Sequence, residues 1–232
     1  MQGSFKMHEW RIEPREYARQ EDRRGRRHAY ESLDPVRTAL VVIDMVPFFA
    51  EANPYVRGIV PNICRIAEAL RTAGGLVAWV LPANEAPLGR VSSEFYGPTV
   101  SEAFASAGGD GPLRSRLWHA LDVRPDDSVM EKTAYSAFFP GHSVLPGLLA
   151  KRGIDTVIIT GALTNVCCES SARDAATTGL RVLMVADANA ARRDQDHNAA
   201  LYTIYRSFGD VRTTDEVLDL IRKRTGPAQP AR

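Results

Sequence analysis

The sequence predicts a three-layer α/β/α domain, Rossmann-like, with a six-stranded parallel sheet. Three observations predict it. Short apolar runs such as Leu40-Val41-Val42-Ile43 and Val157-Ile158-Ile159 are continuous rather than alternating, as in strands buried on both faces. Stretches of helical period separate these runs, which is the order expected of crossover helices. Glycines at 74–75, 153 and 179 follow helical stretches, where a left-handed residue ends a helix. With 232 residues, 44% of them hydrophobic, one domain can bury a substantial core.

Residues 1–36 are charge-rich and weakly patterned. They read as an N-terminal arm packed on the domain or on a neighbouring subunit. Within it, the basic run Asp22-Arg23-Arg24-Gly25-Arg26-Arg27 is surrounded by Glu13, Glu16, Glu21 and Glu31, so it reads as a solvated or subunit-contacting stretch. The main domain is expected over 37–224, and 225–232 is expected to be a flexible tail. Strands are predicted at 39–44, 76–81, 128–132, 155–160, 181–186 and 210–212. Helices are predicted at about 57–73, 143–152, 166–179, 194–207 and 214–223. Residues 82–127 break the alternation, with prolines, glycines and only a short helix expected near 113–120. A connection this long is uncommon unless it forms a lid or binding loop.

A net charge of +1 gives no electrostatic case for nucleic acid or an anionic membrane as partner. Three cysteines, two of them adjacent, make no disulfide framework, which favours a reducing cytoplasm. The N-terminus has no apolar signal-like stretch, and no run reaches the ~18 apolar residues of a membrane span. The five histidines (8, 28, 119, 142 and 197) show no ligand spacing, and no glycine-rich phosphate loop follows a strand. A small-molecule substrate, no metal and no cofactor are therefore expected.

In a parallel sheet, ligands sit at the carboxyl ends of the strands. Asp44, Lys132 and Cys167 each follow or end an apolar run, so the fold would gather them at one edge. Cys167 falls at a strand-to-helix turn, where backbone N–H groups and the helix dipole are expected to lower a thiol pKa. Each residue also has a plain structural reading: a packed thiol, a capping aspartate, a surface lysine. Cys168 and Cys64 read as packing residues.

The stretches Val41-Val42-Ile43-Asp44-Met45, Glu131-Lys132 with Tyr135-Ser136-Ala137-Phe138-Phe139, and Gly161-Ala162-Leu163-Thr164-Asn165-Val166-Cys167 resemble, in order, the motifs of the isochorismatase-like cysteine hydrolase superfamily. The resemblance covers roughly residues 37–218. It implies the strand order 3-2-1-4-5-6 and an Asp44, Lys132, Cys167 catalytic triad. It also implies a cis peptide at Ala162–Leu163 and an oxyanion hole from the Leu163 and Cys167 amides. Homodimers or homotetramers are usual in such a family. The 164–174 and 197–209 stretches look most like the ureidoacrylate and N-carbamoyl amidase branch, whose members cleave C–N bonds. The Lys132–Phe139 and Thr213–Val217 stretches also resemble isochorismatases, which cleave a vinyl ether and generally lack the nucleophilic cysteine. A catalytically silent binding member is the third reading. The Asp-x-His metal run of nicotinamidases has no counterpart in Val80-Leu81-Pro82-Ala83-Asn84-Glu85.

Phe48, Phe49, Trp79, Tyr135 and Phe138 cluster near strand ends and are candidates to line a pocket for a planar substrate, although aromatics at such positions are as readily core. Asn84, with Glu85, is a candidate to bind an amide or ureido group. Thr164 and Asn165 are expected to buttress the nucleophile turn.

Overall fold

The computed structural model describes residues 5–85 and 89–223; the tail expected at 225–232 lies outside them. Six strands, β1 (Thr38–Ile43), β2 (Leu76–Pro82), β3 (Ser128–Lys132), β4 (Thr156–Ala162), β5 (Arg181–Ala190) and β6 (Asp210–Arg212), form one sheet. Every pairing is parallel, and the order is β3-β2-β1-β4-β5-β6. The helices are α1 (Pro14–Arg24), α2 (Pro47–Ala52), α3 (Pro54–Gly58), α4 (Val60–Thr72), α5 (Ser92–Tyr96), α6 (Pro98–Ala105), α7 (Leu145–Lys151), α8 (Glu169–Thr177), α9 (Asp194–Ser207) and α10 (Thr214–Arg222).

Alternate residues of each central strand feed two separate cores. Leu40, Val42, Val77, Trp79, Ile158 and Leu183 pack with Ile63, Ile66 and Leu70 of α4 and Val217 and Ile221 of α10. Ala39, Val41, Ile43, Val157, Ile159 and Met184 pack with Leu149 of α7, Ala172 and Ala175 of α8, and Leu201 and Ile204 of α9. Period-two alternation with both faces covered is what turns a strand into an unbroken apolar run.

The helix expected over about 57–73 is α4, Val60–Thr72, and two shorter helices, α2 and α3, precede it. Each begins with a proline in its first turn, at 47, 54 and 61, where the missing N–H costs nothing. The 82–127 segment is also more ordered than its sequence suggests: α5 and α6 lie within it, and the short helix near 113–120 is a 3₁₀ turn at Leu113–Arg116. Arg116 ties the segment to the sheet. Its guanidinium donates to the carbonyls of Gly108 (2.6 Å) and Pro82 (2.9 Å) and to Glu131 Oε1 (2.8 Å).

The N-terminal residues lie along the α9 side of the sheet. Ile12 is buried in that core, Gln20 donates to the Tyr205 and Arg206 carbonyls, and Asn198 bridges to Arg11 and Glu9. The basic run turns onto nearby groups of the chain, and Arg24 also lies 3.6 Å from the Asp210 carboxylate. Arg24 donates to the carbonyls of Arg26 and Arg27, Arg26 to those of His28 and Ala29, and Arg27 stacks on Tyr17.

Candidate active site

β1 and β4 are neighbours, so the residues that follow them emerge side by side. Ile43 pairs with Gly161, and a Cβ at Gly161 would lie 2.1 Å from the Ile43 carbonyl oxygen. Only glycine permits this approach, and at φ 116° the backbone itself favours it. Asp44 turns out of β1 at φ 52°, a left-handed conformation that aspartate tolerates better than most residues. Its amide donates to Val80 O at 2.8 Å, so the turn is pinned to β2.

After β4 the Ala162–Leu163 peptide is cis, as the resemblance implies. Thr164–Cys168 then forms a π-helical turn that leads into α8. Leu163 O accepts from the Val166 amide at 3.0 Å and the Cys168 amide at 3.2 Å, bypassing Cys167. Thr164 is braced by His197 of α9 (Oγ1 to Nδ1, 2.8 Å), whereas Asn165 faces the cavity described below.

Lys132, at the end of β3, lies 2.9 Å from Asp44 Oδ2 and 3.6 Å from Cys167 Sγ, and its ammonium also donates to Ala134 O at 3.1 Å. All three side chains are buried. Asp44 Oδ1 is buried without a formed hydrogen bond, and the Cys167 thiol is the neighbouring proton donor.

Burial raises the Asp44 pKa above the ordinary carboxylate range, with Lys132 and Cys167 opposing it. Burial alone would lower Lys132, but the Asp44 carboxylate and Cys167 outweigh it and hold the lysine charged. The Cys167 thiol is pushed up, first by burial and then by Asp44, against the pull of Lys132. The expectation of a thiol lowered by a helix N-terminus is therefore corrected. Cys167 is the fourth residue of a π turn, and desolvation beside a carboxylate dominates. The thiol is thus held towards its neutral form and the lysine towards its charged form, beside a carboxyl group of raised proton affinity. Cys168 is fully buried, and its thiol is likewise raised, first by burial.

These groups form the floor of a cavity of about 390 Å³. Phe49 and Tyr135 line it, together with Leu163 and Cys167, whose amides the resemblance assigns to an oxyanion hole. Phe48 reaches it indirectly, stacked edge-on against Phe49 at 5.0 Å and tilted against Phe104 at 6.0 Å. Trp79 does not reach it: the side chain points into the α4 core and donates to Asp127 Oδ2 at 2.8 Å. Phe138 is likewise core, on the opposite face of the sheet. Asn84 is turned to Gly109 O at 2.9 Å and holds the loop, while its neighbour Glu85 lines the cavity.

Two groups of lining residues escaped the sequence reading. Tyr96, Val100, Phe104 and Ala107 come from the 82–127 segment, and Tyr96 is hydrogen-bonded hydroxyl to hydroxyl with Tyr135. Arg192 and Asp196 follow β5. Their signal was the same strand-end rule that found Asp44, but β5 runs four residues beyond its predicted end at 186. The ladder slips there, with Ile159 opposite Met184 and Gly161 opposite Asn189. The Asn189 amide spans the slip by donating to the Ile159 and Val185 carbonyls. Asp196 is paired with Arg193. Arg192 is exposed, and among the described residues none forms an ion pair or hydrogen bond with its side chain. No three His, Cys, Asp or Glu side chains among the described residues converge as metal ligands.

Comparison with known proteins agrees with this fold. Residues 38–216 match the Isochorismatase domain family. The ureidoacrylate amidohydrolase RutB of Methylobacterium radiotolerans is 33% identical over 200 residues, covering 77% of each chain. A cysteine hydrolase from Pseudomonas syringae pv. phaseolicola superposes with a TM-score of 0.73 at 28% identity, over 85% of this chain and 98% of that one. N-carbamoylsarcosine amidase from Thermoplasma acidophilum gives 0.62 at 27% identity, over 77% and 97%. With its motifs in order on a 3-2-1-4-5-6 parallel sheet, the chain belongs to the isochorismatase-like cysteine hydrolase superfamily.

Proposed function

We propose that the protein is a cysteine-dependent amidohydrolase that cleaves a C–N bond of a small amide or ureido acid through a thioester. The observation that carries this reading is Lys132, 2.9 Å from Asp44 and 3.6 Å from Cys167, at the floor of a largely apolar cavity. A neutral thiol is a weak nucleophile, and a carboxylate of raised proton affinity beside it is a suitable base. Asp44 takes the Cys167 proton as sulfur attacks the carbonyl carbon, and Lys132 stabilises the thiolate character that develops. The Leu163 and Cys167 amides receive the oxyanion; losing one such donor costs about 10²–10³ in rate. Asp44 then returns the proton to the departing nitrogen, and the C–N bond breaks to leave a thioester. Water attacks the thioester, gives its proton to Asp44, and Asp44 restores the thiol.

Arg192 at the rim, which makes no ion pair among the described residues although Glu85 and Asp196 line the same cavity, supports a substrate whose acid group lies away from the scissile bond. Relatives described as a ureidoacrylate amidohydrolase and an N-carbamoylsarcosine amidase support the same class. Cys167 weighs against vinyl ether hydrolysis, and the buried triad weighs against a silent binding member. The direct test is an ammonia-release screen over ureido acids, N-carbamoyl amino acids, nicotinamide and maleamate. Turnover of acidic members that is lost in Cys167→Ala is expected. Turnover that survives Cys167→Ala would refute the nucleophile.

A further inference from the structure

A second chamber adjoins the catalytic cavity and shares Phe49, Leu163 and Arg192 with it. Its remaining walls are Phe48, Ala52, Asn53, Pro54 and Tyr55, closed on one side by Lys6 from the N-terminal strap. None of its lining residues is acidic. Lys6 is exposed, its ammonium lies 5.8 Å from the centre of the Tyr55 ring, and among the described residues it has no ion-pair partner. Two cations thus face one apolar-walled space without a counter-charge, which favours an anionic guest.

The strap that supplies Lys6 is seated firmly. The Lys6 amide donates to Pro54 O at 3.1 Å, and the Lys6 carbonyl passes so close to Gly58 that a Cβ there would lie 1.9 Å from its oxygen. Two residues on, His8 is buried and stacked between Tyr55 (4.0 Å) and His197 (4.2 Å). Its Nδ1 lies 2.6 Å from Asp194 Oδ1, and its Nε2 accepts from the Ala191 amide at 3.0 Å. His8 therefore grips the chain on both sides of Arg192. Asn53 adds a third tie, donating to Ala191 O at 2.9 Å. Both cations are mounted on one braced unit.

We propose that this chamber is a second anion subsite, and that the enzyme takes amide or ureido derivatives of diacids. Arg192 receives the acid group nearer the scissile bond and Lys6 the one further away. This rests on the hydrolase reading above for the position of the scissile bond.

The test uses N-carbamoylglutamate and N-carbamoylnorvaline, which share a backbone and differ in a terminal carboxylate. In the Cys167→Ala protein, calorimetry should find the diacid bound about fivefold more tightly, the scale of one solvent-accessible ion pair. Lys6→Gln should abolish the difference, and Gly58→Ala, which displaces the strap, should reduce it. Equal affinities, a preference that survives Lys6→Gln, or no binding of either compound would overturn the subsite. Turnover by the unmodified enzyme separates the two claims. A Lys6-dependent preference without hydrolysis would remove the hydrolase reading and leave the subsite. Hydrolysis of both compounds with equal KM would do the reverse.

Discussion

The floor of the cavity and its rim are built by different means. The floor is three side chains at the ends of β1, β3 and β4, set by ladder pairing and by the contact of Gly161 with Ile43. The rim comes from α5 and α6, the 191–196 chain and the N-terminal strap, none of which belongs to the sheet. A rigid sheet edge suits chemistry that tolerates little displacement. Segments tied down by a few side chains, such as Arg116 and His8, can change substrate preference without disturbing that edge. Changes at the floor should therefore act on kcat, and changes at the rim on KM.

The largest effect is expected at the floor. Cys167→Ala and Asp44→Asn should each lower kcat by about 10⁴-fold or more, because groups that act as a unit fail together. Steady-state kinetics with unchanged circular dichroism would check this. Gly161→Ala tests the scaffold itself. A Cβ 2.1 Å from the Ile43 oxygen, at a φ reserved for glycine, should cost several kcal/mol of stability, about 3 or more, along with most of the activity; urea denaturation reads it. A variant with full stability and full activity would mean that β1 and β4 need not approach so closely.

At the rim, Arg192→Met should raise KM for acidic substrates about 10–100-fold, the loss of one charge-assisted contact, with kcat nearly unchanged. A fall in kcat with constant KM would move Arg192 to the floor. The pH profile of kcat/KM sharpens the contrast. Activity requires ionised Asp44, whose pKa is raised by burial, so the acid limb should lie above the ordinary carboxylate value near 4. Lys132 is held charged above its usual range, so no lysine limb is expected below about pH 10. Lys132→Met removes the charge that opposes burial and should move the acid limb higher still. Arg192→Met should leave it in place.

A smaller, global effect comes from His197, whose burial lowers its pKa to about 3. The folded state holds this ring neutral while the unfolded chain protonates it near 6.5. The stability it permits is complete above pH 6.5 and declines as pH falls towards 3. His197→Asn, which keeps a partner for Thr164, should flatten that part of the stability–pH curve in thermal unfolding.

The sequence made the floor legible and left the rim largely hidden, for physical reasons. Strands buried on both faces appear as unbroken apolar runs, and the residues around their ends stand out: Asp44 and Lys132 were singled out at strand ends and Cys167 at the turn after β4, while their joint catalytic role came from the family resemblance. Trp79 and Phe138 illustrate the limit of the same rule, because an aromatic near a strand end points into whichever face its parity dictates, and here both face the core. Arg192 was concealed by the slip in the β4–β5 ladder, which lengthens β5 beyond its apolar run. Tyr96 and Phe104 sit on helices of five and eight residues, too short to show a period. The strap carries no pattern because it is held by single side chains such as His8, not by a repeating face.

The most direct measurement is rapid-quench mass spectrometry of the unmodified enzyme during turnover of an acidic ureido or amide substrate. An intermediate heavier than the free protein by the acyl group, mapped to the peptide containing Cys167 and absent in Cys167→Ala, is the expected result. Steady turnover with no adduct, or an adduct on Cys64 or Cys168 alone, would contradict a thioester at the strand-end cysteine.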